Sequence, residues 1–183
     1  MKSLSYSIRT IREEDWAEVD RIQRAAFSAD AVEDIETIKS LGRLSPETCL
    51  IAVLEEPVGY LIAHPWVSDD LPRLNTIHGE IPEGAETFFL HDLALSPLAR
   101  GKGVASGLVA AGFERARQLG LRDASLLSIQ NSSGFWERMG FVGRPELAAK
   151  VRPVLEMFLH TDFVFMTRPD LKWQDERRAT KHD

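Results

Sequence analysis

Two glycines one residue apart, Gly101 and Gly103, stand between a strand-forming run, Thr87 to Leu95, and an amphipathic stretch, Gly103 to Leu119. A strand that passes into a helix through such a loop leaves the helix's first amides without internal partners. Paired glycines let a bulky ligand approach that backbone, and the helix dipole adds positive potential at the same spot. Arg100 and Lys102 add formal charge. The segment Arg100, Gly101, Lys102, Gly103, Val104, Ala105 and Ser106 therefore reads as a cradle for a phosphate group.

Two phosphate-binding patterns with this logic fail on their details. G-x-x-x-x-G-K-[ST] would need glycine at Ser96 and a hydroxyl residue at Gly103. G-x-G-x-x-G begins at Gly101 and Gly103 but has Ser106 in third place, with no suitable βαβ unit before it. What remains is R/Q-x-x-G-x-G/A, filled by Arg100, Gly103 and Ala105. The strand Phe89-Leu90-His91-Asp92-Leu93-Ala94-Leu95 precedes it, and Phe135-Trp136-Glu137-Arg138-Met139-Gly140-Phe141 follows, similar to an F-Y-x-x-x-G-F box. Together these resemble the acetyl-CoA-binding half of the GNAT superfamily of N-acyltransferases.

The resemblance implies an α/β (α+β) fold: a mixed, mostly antiparallel sheet of about seven strands with helices on both faces, splayed between its fourth and fifth strands. It implies acetyl-CoA as co-substrate and no metal. Leu93, Ala94 and Leu95 would lie along the acetyl and pantetheine arm, with backbone groups of Leu93 and Leu95 pairing with it. Arg100 to Ser106 would hold the pyrophosphate, and Phe135 would flank the cofactor. Asn131 has two readings, a pantetheine contact or the N-cap of the following short helix. The acceptor would be a small-molecule or peptide amine; homodimers are common in the superfamily, and the residues leave the oligomeric state open.

The rest of the chain is compatible. Tyr6 to Ile11 reads as a strand, and Glu13 to Phe27 as a helix with an acidic first turn. Val32 to Leu41 reads as a shorter helix ending near Gly42, and Thr48 to Leu54 and Val58 to Ala63 as strands of a hairpin. His64 to Glu86, rich in Pro, Gly and acidic residues, reads as a long loop. Beyond the loop at Gly101, the pattern gives a strand at Ala124 to Ile129, a short helix at Phe135 to Met139 and a strand opening at Phe141. An ambiguous helical stretch at Pro145 to Phe158 and a strand at Asp162 to Thr167 follow. Residues 1 to 168 are expected to form one domain, with a polar tail over 169 to 183 pinned by Trp173.

The net charge of −6 argues against a nucleic-acid surface. The lone Cys49 in an apolar run fits a buried thiol in a reducing compartment, and no apolar stretch is long enough for a bilayer, so a cytoplasmic protein without a membrane partner is expected. His64 and His160 have no His/Cys/Asp constellation around them to suggest a metal.

Acetyl transfer to an amine needs the amine neutral and the departing thiolate protonated. His91 is the first base candidate, the alternative being a strand histidine bonded to backbone or to Asp92. Asp92 would face the opposite side of a regular strand and could serve only if a bulge turned it; otherwise it is a surface or sheet-edge carboxylate. Trp136 stands where the family usually has a tyrosine thought to protonate the thiolate; indole cannot supply a proton. It would then pack beside the sulfur or simply anchor its helix. Glu33, Asp34 and Phe27 near the helix junction, and Trp66, Asp69, Asp70, His78, Glu80 and Glu83 in the long loop, form a possible acceptor rim. Besides acetyl transfer, an acyl-CoA-binding regulatory module with little turnover and a longer-chain acyltransferase remain open.

Overall fold

In this computed structural model, residues 5–155 and 162–171 are described. The strand positions are β1 (Ser7–Thr10), β2 (Leu50–Val53), β3 (Pro57–Trp66), β4 (Thr87–Leu95), β5 (Asp123–Ile129), β6 (Val142–Gly143) and β7 (Phe163–Arg168). The helices are α1 (Trp16–Ala26), α2 (Ile35–Leu44), α3 (Val104–Gln118), α4 (Ser133–Arg138) and α5 (Pro145–Leu155). They surround one seven-stranded sheet of order β1-β2-β3-β4-β5-β7-β6, antiparallel except for the parallel pair β4–β5. This is the GNAT fold that the motif implied.

The apolar residues of alternate register sort onto the two faces. Phe88, Leu90, Ala124 and Leu126 join Leu108, Val109 and Phe113 of α3 in one cluster. Ile51, Tyr60, Ile62 and Ala94 join Trp16, Val19, Ile38 and Leu41 of α1 and α2 in the other. A third cluster lies under the long β3–β4 loop, where Leu71 and Leu74 pack with Leu127, Ile129 and Leu155. That packing roofs the loop over the sheet. Asp15, buried beneath the β1–α1 turn, receives two bonds from Arg9, at 2.6 and 2.8 Å, and so fixes where α1 departs.

Three element boundaries differ from the sequence expectation. Gly42 does not end α2. It lies inside the helix, where an added Cβ would come within 2.6 Å of the Trp16 ring, so glycine is there to let α2 approach α1. β3 runs on through His64 and Pro65 to Trp66, because both faces at that end are covered. The ambiguous stretch from Pro145 is helical to Leu155, whereas Phe158, His160 and Trp173, with most of the expected tail, lie outside the described residues. Among the described residues no helix is long and apolar enough to cross a membrane.

Two features of β4 position the site. First, it pairs with β5 only from Thr87↔Asp123 to Leu90↔Leu126, while β4 stays paired to β3 as far as Leu95 and β5 to β7 as far as Ile129. Beyond Leu90 the sheet therefore splays. Second, Ile62 pairs with Asp92 but Ala63 with Leu90, which leaves His91 as the extra residue of a β-bulge.

Candidate active site

The bulge inverts the side-chain parity of β4. Phe88 and Leu90 pack with α3, and so do Leu93 and Leu95; the opposite face carries Phe89 and His91 before the bulge and Asp92 and Ala94 after it. His91 and Asp92, adjacent in sequence, thus share the face toward α1 and α2. The condition for Asp92 to serve is met, and it is not the surface or sheet-edge carboxylate of a regular strand. Burial pushes its carboxyl up to about 6, against the bond it accepts from the Tyr60 hydroxyl at 2.6 Å and the charge of His91. Tyr60, itself buried and facing this carboxylate, is held well above the usual phenol range, so it stays a donor.

His91 has a different partner. Its Nε2 lies 2.5 Å from Glu33 Oε2, with the two side chains 3% and 11% exposed. Burial disfavours the imidazolium, but the charge and hydrogen bond of Glu33 outweigh it, and the His91 pKa is raised. Burial likewise opposes the Glu33 carboxylate, and His91 together with the Asn75 amide outweighs that, so the Glu33 pKa is lowered. Both directions describe an imidazolium–carboxylate pair. The other Glu33 oxygen accepts the Asn75 N–H at 2.6 Å, which ties the β3–β4 loop to the α1–α2 junction. His91 Nδ1 is buried without a partner among the described residues.

This pairing has a measurable pH signature. The raised His91 pKa contributes stability that is full below the ordinary 6.5 and lost as pH rises through the folded value. The lowered Glu33 pKa contributes stability that is full above the ordinary 4.5 and lost as pH falls through its folded value. Glu33→Gln should therefore cost most between pH 4.5 and 6.5, by about 3–5 kcal/mol, and progressively less above that window. Thermal melts of both proteins across pH check it; a constant gap would mean that no ion pair is present.

The residues expected to hold the cofactor border the gap between β4 and β5. Ser96 N–H donates to Val58 O at 2.9 Å, and the alternation of an antiparallel ladder then directs Ala94 toward β3 and leaves the amides and carbonyls of Leu93 and Leu95 facing the gap. At its end, α3 makes its first helical bond from Gly107 N–H to Gly103 O, so the amides just before Gly107 have no intrahelical partner. Gly101 and Gly103 have φ of 70° and 72°, and a Cβ at either would meet nothing within 4 Å. The cradle is open where a pyrophosphate would approach. Arg100 and Lys102 are exposed beside it, Lys102 Nζ resting on Leu98 O, while Val104 is buried and Ala105 and Ser106 are half-buried. Among the described residues no group of three or more His, Cys, Asp or Glu could hold a metal ion.

The remaining candidates divide. Trp136 is 7% exposed, packs edge-on against Phe135 and Phe141, and also lines the cleft, so it is an anchor and a wall together. Asn131 is exposed with φ 58°; Ser132, not Asn131, occupies the N-cap position of α4. Phe135 is half-buried. Of the expected acceptor rim, Phe27 and Glu33 reach the cleft, whereas His78 and Trp66 pack edge-to-face with ring centroids 5.3 Å apart. Tyr60 was missed. A strand tyrosine reads as core, and its partner lies 32 residues away.

A cleft of ≈110 Å³ opens beside this gap. Leu93, Leu126, Ile129, Ser132 and Trp136 line it on the side of the β4–β5 gap, Phe27, Glu33, Leu71 and Asn75 on the other, with His91 and Asp92 between them.

Residues 7–141 match the Acetyltransferase (GNAT) family, and the chain belongs to it. Among solved structures, the loading GNATL domain of CurA from Lyngbya majuscula aligns with a TM-score of 0.70 at 16% identity, over 91% of this chain and 98% of that one. Ard1 from Thermoplasma volcanium aligns at 0.67 and 17% identity, over 91% and 99%. A chain of the NatC complex bound to Gag peptide and CoA aligns at 0.66 and 19% identity, over 90% and 98%. At such identities the likeness establishes the fold. No curated protein matches in sequence.

Proposed function

We propose that the chain is an acetyl-CoA-dependent N-acetyltransferase that acetylates a primary amine of a small molecule or peptide by direct attack in a ternary complex. The observation that carries this is the continuous cleft, in which Asp92 stands between the gap beside Leu93 and the space under the β3–β4 loop. The family and the CoA and peptide named for the NatC structure support the same reading.

Acetyl-CoA, when bound, supplies a thioester carbonyl whose carbon accepts the amine. The Arg100–Ser106 cradle holds its pyrophosphate, and the backbone groups of Leu93 and Leu95 on the gap side orient its arm. Asp92, rather than His91, is the base: its carboxyl at about 6 is mostly ionised at neutral pH yet basic enough to take a proton from the incoming ammonium. Tyr60 holds that carboxylate in place. The Nε2 of His91 is committed to Glu33, so the pair's part is to fix the bulge and the loop above it.

The balance is simple. The ammonium gives one proton to Asp92, the nitrogen–carbon bond forms as the carbon–sulfur bond breaks, and the amine's second proton reaches the thiolate through solvent, because Trp136 has none to give. Asp92 then returns its proton to water.

Initial rates of thiol release, measured with acetyl-CoA and an amine both varied, should give intersecting reciprocal plots. Parallel plots would point to an acetylated enzyme. Tight acetyl-CoA binding with no release for any amine would leave the regulatory-module reading, which the tryptophan at position 136 favours.

A further inference from the structure

Tyr6 stands just ahead of β1, yet its hydroxyl donates to the Gly103 carbonyl, 97 residues along the chain, at 3.2 Å. Its half-buried ring packs with the α3 cluster and lies against the first turn of that helix. A Cβ added at Gly107 would come within 2.3 Å of the hydroxyl oxygen and 3.1 Å of two ring carbons, so glycine at that position leaves room for the ring. From this contact we infer that Tyr6 is a positioning residue of the cofactor cradle, holding Gly103 so that the first amides of α3 face the pyrophosphate. This role presupposes the acetyltransferase reading, in which the loop receives acetyl-CoA, and adds to it a residue far outside the glycine motif.

The peptide that joins Gly103 to Val104 shows how the contact acts. In a trans peptide the carbonyl and the N–H point in opposite directions, so whatever fixes the Gly103 oxygen also fixes the Val104 N–H, one of the amides without an intrahelical partner. Two donors fix that oxygen, the Gly107 N–H at 2.9 Å and the Tyr6 hydroxyl, which together engage both of its lone pairs. Only the second comes from outside the helix.

The rest of the loop is tied only to itself. Among the described residues, the other hydrogen bonds of residues 97–103 run from Leu98 N–H to Ser96 Oγ, Ala99 N–H to Ser96 O, Arg100 N–H to Pro97 O, Lys102 N–H to Ala99 O and Lys102 Nζ to Leu98 O. Such bonds move with the loop. Ala99 and Val104 are buried at its two ends, but Arg100 to Gly103 between them are exposed, and both glycines there can take many backbone conformations. β1, by contrast, is held in the sheet by its pairing with β2, so Tyr6 gives this span a fixed reference. A loop that leaves its binding conformation lowers the affinity in proportion to the fraction of molecules that have left it.

Two substitutions in the full chain test this, each followed by calorimetric titration with acetyl-CoA and by a thermal melt. Tyr6→Phe keeps the ring against Gly107 and removes only the donor; Kd should rise by about threefold to tenfold with Tm almost unchanged. Gly107→Ala should raise Kd by a similar factor through a different route, because its Cβ displaces the hydroxyl, the free end of a side chain, and not backbone. The two together should weaken binding little more than either alone, since both remove the same bond. An unchanged Kd in Tyr6→Phe, with or without a fall in Tm, would overturn the inference and leave Tyr6 a packing residue; so would losses that multiply in the double variant. An unmodified protein that takes up no acetyl-CoA would instead overturn the acetyltransferase reading itself.

Discussion

Asp92→Asn is expected to lower kcat/KM for the amine by about 10²–10³-fold and, at pH 8, to make the protein more stable. Both effects come from one cause. Burial raises the Asp92 carboxyl from 3.8 to about 6, which at about 1.4 kcal/mol per pH unit sets an upper bound of about 3 kcal/mol on the cost of holding it ionised. The sign follows from linkage. A carboxyl whose folded pKa is raised costs nothing below pH 3.8, and its cost grows to full value once the pH passes about 6. Asparagine can still accept from the Tyr60 hydroxyl but never carries the charge, so a Tm gain should be present at pH 8 and absent near pH 3.5. The rate of the unmodified enzyme should rise with pH through about 6 as Asp92 ionises, and that limb should vanish in the variant. An asparagine variant that keeps both rate and limb removes Asp92 from the role of base. A variant that loses activity with no gain in stability at pH 8 would mean that the carboxylate is structural.

The parts of this site that were legible in the sequence are those whose physics is local. A strand meeting a helix through two glycines is a statement about consecutive residues, and β4 begins and ends at Thr87 and Leu95 as its pattern implied. Leu93, Leu95 and the Arg100–Ala105 loop could therefore be placed together without knowing the sheet. The bulge could not, because it belongs to the pairing of two strands: whether His91 is an extra residue depends on which residue of β3 stands opposite Asp92.

One signal was nevertheless present. In Phe88-Phe89-Leu90-His91-Asp92-Leu93-Ala94-Leu95 both faces of the strand are apolar, and strict alternation would drive either His91 or Asp92 into the α3 core without a partner. Two adjacent ionisable residues in a strand buried on both sides are better accommodated by a parity change. Their partners, Glu33 and Tyr60, lie 58 and 32 residues away and were beyond any local reading. Gly42 shows the converse error. A glycine near the end of a helical pattern reads as a stop, but the Trp16 ring against its Cα makes it a point of close packing inside the helix.

The cradle yields the other large effect. Gly103→Trp should weaken acetyl-CoA binding by more than about 100-fold while the fold persists. Gly103 has φ 72°, at the N-cap position of α3, and the space over its Cα is open. A side chain there meets no protein atom within 4 Å at its Cβ, so the indole need not disturb the core. It pays only for a left-handed backbone, about 1–2 kcal/mol. It does, however, occupy the volume in front of the unpaired amides at the start of α3, which is where the anion has to sit. Stability and binding therefore separate: a modest fall in Tm, with calorimetric titration finding little or no heat from acetyl-CoA. Gly103→Ala serves as the control, since it shares the backbone cost but leaves most of the volume free, and it should retain measurable affinity. If the tryptophan variant bound acetyl-CoA as tightly as the unmodified protein, the loop would not be the phosphate cradle, and the donor would have to be held elsewhere along β4.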